Sequence, residues 1–320
     1  MADLKSTIDQ FKLDPAVRKW VKEHSEARPG SHLLMMAFDW LCIGVTCALS
    51  LRFPHPALFT LSVMVIGCRQ HALLVLAHDG AHNRISKNSR ANDLFSNLFC
   101  GYPTLLSTKD YRRHHLAHHQ HTNTDADPDW ARKIQMREWQ YPQNRVLMFT
   151  TMLKVFFVGG PLWIYFMSKM TQDNGPKMLY WACVLGVVTY LQAWPLFLLY
   201  WALPLMTVFQ VIQRIRSIAE HFGLPRAHEL NDTRNILAGP IEKFLLSPHN
   251  VNYHLTHHLF PSVPFSNLPG LHQKLNEHPI YRALAHNNDS FLFGKRSVLH
   301  DLRTCSQTES KETEKIQAAA

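Results

Sequence analysis

Between Met178 and Ile212 lie 35 consecutive residues without a formal charge. At about 1.5 Å per residue one straight helix of that length would run about 52 Å, well past the roughly 30 Å core of a bilayer. Pro195 and Pro204 break the stretch. Three further apolar runs accompany it. Leu33–Leu51 carries one charge, Asp39, and the turn Arg52–Pro56 separates it from Ala57–Ala77, which is interrupted at Arg69, Gln70 and His71. Val146–Met167 contains Lys154 and Gly159-Gly160-Pro161. Runs of this length read as membrane spans. A soluble all-helical protein with buried helices is the weaker alternative, because core helices are seldom so long and so apolar.

The mean hydropathy of −0.15 means that polar segments must balance these runs. The segment from His78 to Arg145 is too polar to span anything, apart from the short apolar stretch Leu94–Leu106, which suits a helix lying in the membrane interface. Residues beyond Gln213 are polar again. If the histidines on either side of the Val146–Ile212 block share one site, the block crosses an even number of times. Either Val146–Met167 crosses out and the long run returns, or the long run folds at Trp194-Pro195. The expected architecture is an all-α integral membrane protein with about four transmembrane helices in two hairpins and a cytoplasmic helical cap. The expected organisation is a cytoplasmic N-terminal segment 1–30, a membrane domain 31–305 and a flexible tail 306–320, with both termini cytoplasmic.

Lys and Arg number 33 against 24 Asp and Glu, a formal charge of +9. No nucleic-acid-binding motif accompanies that excess, and it suits the cytoplasmic loops of a membrane protein; Arg112, Arg113, Arg132, Lys133 and Arg137 sit in one such loop. The first 30 residues lack the pattern of a signal peptide. Six cysteines without a CxxC spacing exclude a disulfide framework and a cysteine-type zinc site.

The 21 histidines are clustered. His78 and His82 are spaced i, i+4, which places both imidazoles on one helical face. His115, His118 and His119 are spaced i, i+3, i+4, and His254, His257 and His258 repeat that spacing. His221 stands alone after the long apolar run. Neutral imidazole binds iron, zinc, copper or nickel. Three, three, two and one imidazoles are too many for one ion and suit two. No ExxH motif of the soluble carboxylate di-iron bundles occurs. His114, His121, His228, His249 and His272 read as solvated or supporting residues, and His71 as a supporting or buried structural one. The string Asp125-Ala126-Asp127-Pro128-Asp129 lacks the glycine and glutamate of a calcium loop. It reads as a helix cap and a counter-charge for the histidine helix and for Arg112 and Arg113. Asp79 and Glu220 adjoin candidate ligands and are placed to orient ring N–H groups.

These motifs resemble the membrane fatty acid desaturase family, in particular its acyl-lipid-type members with three histidine boxes. His78-Asp79-Gly80-Ala81-His82 resembles the first box, Arg113–Pro128 the second with its trailing TDADP, and Asn250–Pro261 the third. The resemblance implies a di-iron centre held by His78, His82, His115, His118, His119, His221, His254, His257 and His258, with two iron ions as cofactor and O2 as co-substrate. It implies an O2-dependent oxidoreductase that places a double bond in a fatty acyl chain, with a hydroxylase of a lipid or hydrocarbon as the near variant. Ser217 stands where the acyl-CoA branch has an asparagine supporting a metal-bound water, and the first box has three intervening residues rather than four. Both departures weaken transfer of acyl-CoA specificity. Absent nucleotide, iron–sulfur and HPGG haem signatures, a separate electron donor is implied, a ferredoxin or a cytochrome b5, besides a fatty acyl lipid substrate and membrane lipids. A membrane zinc protease is a competing class, since His78-Asp79-x-x-His82 mimics HExxH; it leaves both HxxHH clusters unexplained. A non-catalytic receptor or metal-handling protein is a third.

Overall fold

The computed structural model describes residues 2–304 apart from Thr171 and Asp173, so the expected tail 306–320 lies outside the described residues. Among those residues the chain is helical, with one two-stranded parallel pairing of β1 (Asn235–Ile236) and β2 (Asn287–Asn288). Four helices are long and apolar enough to cross a membrane: Pro29–Arg52, Pro56–Ala81, Arg145–Met170 and Trp194–His221.

The helices start where local chemistry allows. After α1 (Ala2–Leu13), Asp14 accepts from the Ala16 and Val17 amides and Pro15 opens α2 (Pro15–His24). Pro29 opens α3 (Pro29–Arg52), and His55 Nδ1 accepts from Ala57 N to cap α4 (Pro56–Ala81). A first-turn proline has no amide to leave unpaired, and a side-chain acceptor satisfies one that is.

The chain divides into two compact units. The apolar unit comprises Ala27–His115 and Phe149–Ile215. In it α4 is buried almost throughout from Ser62 onward, whereas α3 exposes Leu34, Leu41, Val45 and Leu49. Asp39 of α3 and Arg69 of α4, both buried, form an ion pair at 3.0 Å. That pairing accounts for charges in otherwise apolar spans, where an unpaired one is costly. His32 of α3 meets Asp79 of α4, so the start of α3 lies level with the end of α4.

The stretch Leu94–Leu106 is not one helix. α5 (Ser89–Ser96) runs into a π-turn, Asn97–Gly101, and a short 3-10 turn, Tyr102–Thr104, and Leu105 takes a φ of 69°. Tryptophan and lysine donors bind carbonyls of this irregular stretch: Trp181 binds Tyr102 O at 3.0 Å, Trp163 binds Thr104 O at 3.0 Å and Lys177 binds Leu105 O at 3.1 Å. The chain continues through α6 (Thr108–His121), α7 (Trp130–Lys133), α8 (Arg145–Met170) and α9 (Gly175–Tyr190). The 35-residue uncharged run breaks at Leu191–Ala193, where Gln192 has a φ of 51°. α9, with 16 residues, spans only about 24 Å. α10 (Trp194–His221) follows it, with a π-turn at Leu198–Ala202 and a break at Thr207. Gly159 and Gly160 let α8 approach α10 closely: a Cβ on either would come within 2.8 Å of Gln210 or Met206 side-chain carbons.

The polar unit comprises residues up to Glu26, Leu116–Met148 and the chain from Arg216 onward. Ile8, Phe11 and Val17 of the N-terminal helices pack in one core with Leu255, Leu271 and Tyr281. Its later helices are α11 (Pro240–Leu246), α12 (His254–Leu259), α13 (Leu268–Asn276), α14 (Pro279–Leu284) and α15 (Val298–Thr304).

Candidate metal centre

In the polar unit four histidines converge from distant parts of the chain: His118 of α6, His221 at the end of α10, and His254 and His258 of α12. Their ligand atoms all lie within 4.8 Å of one another. His254 Nε2 is 2.9 Å from His221 Nε2 and 3.0 Å from His258 Nε2. Donors held at about 2.1 Å from one ion stand about 3.0 to 4.2 Å apart. Four imidazole nitrogens at this spacing, few of them facing water, fit a metal far better than they fit each other. A further pair in the same unit, His119 and His257, brings its Nε2 atoms to 3.1 Å.

A carboxylate holds the ring of His118: Nδ1 lies 2.9 Å from Asp127 Oδ2. Asp127 also accepts from the amides of Asn123 and Asp129, at 2.9 and 2.8 Å. Burial pushes its carboxyl up, but the His118 hydrogen bond and charge and these amides outweigh it and hold the group below its usual range. Glu220, bound by Arg216 Nε at 2.6 Å, stands 3.5 Å from His254 Nδ1. Burial, and then the neighbouring imidazoles, keep His258 well below its ordinary value, so the neutral ligand form prevails.

This group is braced from behind. Thr256, between the ligand candidates of α12, gives its amide and hydroxyl to Asn235 Oδ1 at 3.1 and 3.2 Å. Asn235 Nδ2 donates to the Tyr281 hydroxyl at 2.9 Å. Arg234, fully buried, binds the carbonyls of Phe222 and Gly223 and, at 3.2 Å, Asp301, while its own carbonyl accepts from Leu255 N. β1 thereby ties the loop after His221 to the start of α12.

In the apolar unit His78 and His82 of α4 meet His115 of α6, with ring centroids 4.4 to 5.1 Å apart. Burial above all, and then the charge of His78, push His82 down to about 3. Asp79 places Oδ1 3.7 Å from His78 Nδ1 and Oδ2 3.1 Å from His32 Nε2, and His32 Nδ1 lies 3.1 Å from Arg28 O. Arg112 donates to the Ala81 and Gly80 carbonyls at 2.8 and 2.9 Å, fastening α6 to the end of α4.

All nine ligand candidates thus fall into close imidazole groups, six in one unit and three in the other. His71, His114, His121, His228, His249 and His272 stand in neither. The acidic string acts through Asp127, as counter-charge to His118 and cap of α7. The arginines have acidic partners of their own: Arg112 pairs with Asp93 and Arg113 with Asp110, each at 3.1 Å. Sequence reasoning missed His32, Arg234, Asn235 and Tyr281. For His32 a signal existed, a histidine in the first turn of a span; the other three carry none.

The model of the fatty acid desaturase family matches residues 54–287. The chain belongs to that family. It is an enzyme of the desaturase type and an integral membrane protein. Over 267 residues it is 28% identical to the dihydrorhizobitoxine desaturase of Bradyrhizobium elkanii, covering 76% of this chain and 75% of that one. It is 24% identical over 298 residues to an sn-1 acyl-lipid omega-3 desaturase (ferredoxin) of Nostoc, with 84% and 78% covered. A bovine sphingolipid delta(4)-desaturase/C4-monooxygenase is 28% identical over 214 residues, with 63% of this chain and 61% of the relative covered.

Proposed function

We propose that this enzyme is an O2-dependent di-iron lipid desaturase that introduces a double bond into a fatty acyl chain. The observation that carries the reading is the four-imidazole group of His118, His221, His254 and His258, oriented by Asp127 and Glu220, in a chain of this family. One iron belongs there. The other belongs to His78, His82, His115, His119 and His257. α6 supports that division, because His115 and His119 lie one turn apart on one continuous helix, on the same face.

Iron bound at these positions supplies, with O2, two electrons and two protons, the removal of two hydrogens from adjacent methylenes and the release of two waters. The chain's own groups hold the rings. Asp127, Glu220 and Asp79 fix which imidazole nitrogen faces inward, and such partners govern metal affinity strongly. A hydroxylase outcome, one oxygen retained on carbon, is the second reading, favoured by the relative named for both desaturase and C4-monooxygenase activity. The zinc protease reading has no use for six of the nine histidines. The electron donor is a separate ferredoxin or cytochrome b5, and a ferredoxin stands in one relative's name.

The four spans form two hairpins, with the histidine boxes and both termini in the cytoplasm, in a membrane domain covering 31–305. Segment 1–30 is the cytoplasmic lead-in and 306–320 the tail. An even number of spans and the level meeting of His32 with Asp79 support this arrangement. The test is lipid profiling of an expressing host, with iron analysis of the purified protein. A new double bond, absent with His118→Ala, and about two irons per chain are expected. One zinc and an unchanged lipid profile would sink the reading.

A further inference from the structure

In the polar unit α1 and α2 and the segment after α12 enclose an open cleft of about 780 Å³. Lys12, Arg18 and Lys22 line it, and Asp9 is the acid among its lining residues. Lys12 is engaged by Glu229 at 2.7 Å. Arg18 and Lys22 are exposed, one turn apart, and among the described residues no ion pair takes either. Leu13, Val21 and Phe260 line the same cleft with apolar surface, Leu13 being 54% exposed. Ser25 and Ser262, hydroxyls 3.1 Å apart, line it as well. Cations beside exposed apolar surface are the pattern of a group that meets an anionic amphiphile.

The chain ties this cleft to a span. Ser25 precedes Pro29, the first residue of the first span, by four residues, which limits their separation to about 14 Å. The start of that span carries His32, bound to Asp79 at the histidine end of α4. Phe260 and Ser262 follow His258 by two and four residues. The cleft is therefore tethered by a short stretch of chain to the start of a span and adjoins, along the sequence, the histidines of α12. Basic groups near a membrane surface attract anionic lipid.

We propose that the cleft binds the phosphate of an anionic phospholipid headgroup, and that the lipid so held is the carrier of the acyl substrate. The proposal rests on the lipid desaturase reading above. Arg18 and Lys22 hold the phosphate, the serine hydroxyls add donors, and Leu13, Val21 and Phe260 receive the first carbons of the chains.

The test uses full-length protein in nanodiscs of equal parts phosphatidylglycerol and phosphatidylcholine, supplied with O2 and with a chemically reduced ferredoxin or cytochrome b5 as electron donor. Mass spectrometry reads the lipid retained after transfer to detergent and the lipid class that gains unsaturation. Wild type is expected to retain phosphatidylglycerol and to place new double bonds there. Arg18→Gln with Lys22→Gln should reduce that preference about thirty-fold, two basic contacts' worth, at wild-type iron content. Arg18→Lys with Lys22→Arg should keep it, and added salt should weaken it in wild type. An unchanged preference in the double glutamine variant overturns the proposal, and so does a salt-insensitive one. Should the glutamine variant fail to fold, the salt series and the charge-keeping variant still decide. An enzyme that desaturates both lipids alike sinks the cleft and spares the desaturase reading; retention of phosphatidylglycerol without any oxidised lipid does the reverse.

Discussion

In the apolar unit, His78, His82 and His115 come from two helices, and what steadies them is nearby: Asp79 next to His78, Arg112 at the end of α4, His32 on the adjoining helix. In the polar unit, His118, His221, His254 and His258 come from three separate segments. Their bracing comes from β1, from Tyr281 and from an acidic loop. Both groups use the same ligand chemistry, yet one is a property of packed helices and the other of loops and short elements pinned by hydrogen bonds. The second should depend more steeply on individual polar residues, because leaving a buried partner unsatisfied costs about 1–3 kcal/mol, whereas local helix contacts share the load.

The largest expected effects treat the groups alike. His82→Ala and His258→Ala should each reduce product to background while the protein still inserts in the membrane, measured by lipid analysis and membrane fractionation. Substantial turnover in either variant would remove that ring from the ligand set. The carboxylates come next and should separate the groups. Asp127→Asn is expected to weaken iron retention about ten- to a hundred-fold. Asp79→Asn should do less, because Asp79 stands 3.7 Å from its ring against 2.9 Å for Asp127. Equal losses on dialysis against a chelator would erase the distinction.

Acid should act on both groups. His82 is held down to about 3 and His258 well below its ordinary value, so each takes up a proton more readily unfolded than folded. Their contribution is present above about pH 6.5, the unfolded value, and is lost as pH falls below it. Asp127, also held below its usual value, adds a loss in the same direction at lower pH. Iron-free protein should therefore unfold at lower temperature at pH 5.5 than at pH 7.5, having lost about 1.4 kcal/mol in all for each histidine over that interval. A flat profile would mean that these rings are solvated rather than buried.

How much of this was legible in one dimension follows from distance along the chain. HxxxH and HxxHH are visible because helical periodicity maps spacing onto a face. Asp79 and Glu220 are visible because they adjoin ligands. His32 meets Asp79 across 47 residues, and Thr256 meets Asn235 across 21 and Tyr281 across 25, and no periodicity links such positions. The spans were legible from composition, and Gly159-Gly160 showed as an interruption. The break at Leu191–Ala193 showed only through its neighbour: Trp194-Pro195, where the run was expected to be able to fold, opens the next helix, while the left-handed Gln192 that makes the break is not announced by composition.

Adjacent arginines sharpen the point with the smallest expected effects. Arg112 and Arg113 are indistinguishable as sequence, two cations heading the histidine helix. Arg112 is 20% exposed and closes the carbonyls of Gly80 and Ala81 beside His82. Arg113 is 46% exposed, pairs with the buried Asp110 on its own helix at 3.1 Å and donates to Gln172 Oε1 and the Met170 carbonyl at 2.8 and 3.2 Å. Contacts of a half-exposed cation are screened and sit near the about 0.2–1 kcal/mol of a surface pair, whereas charged hydrogen bonds to buried carbonyls contribute about 1.5–3 kcal/mol. Arg113→Ala should therefore lower thermal stability less than Arg112→Ala and leave iron content within error of wild type. Arg112→Ala should lower stability by a few kcal/mol and loosen the His78–His82–His115 group, visible as faster iron loss. Equal behaviour of the two variants would mean that the end of α4 is held by something other than Arg112, and that the apolar unit's triad is as loosely braced as its position on packed helices argues against.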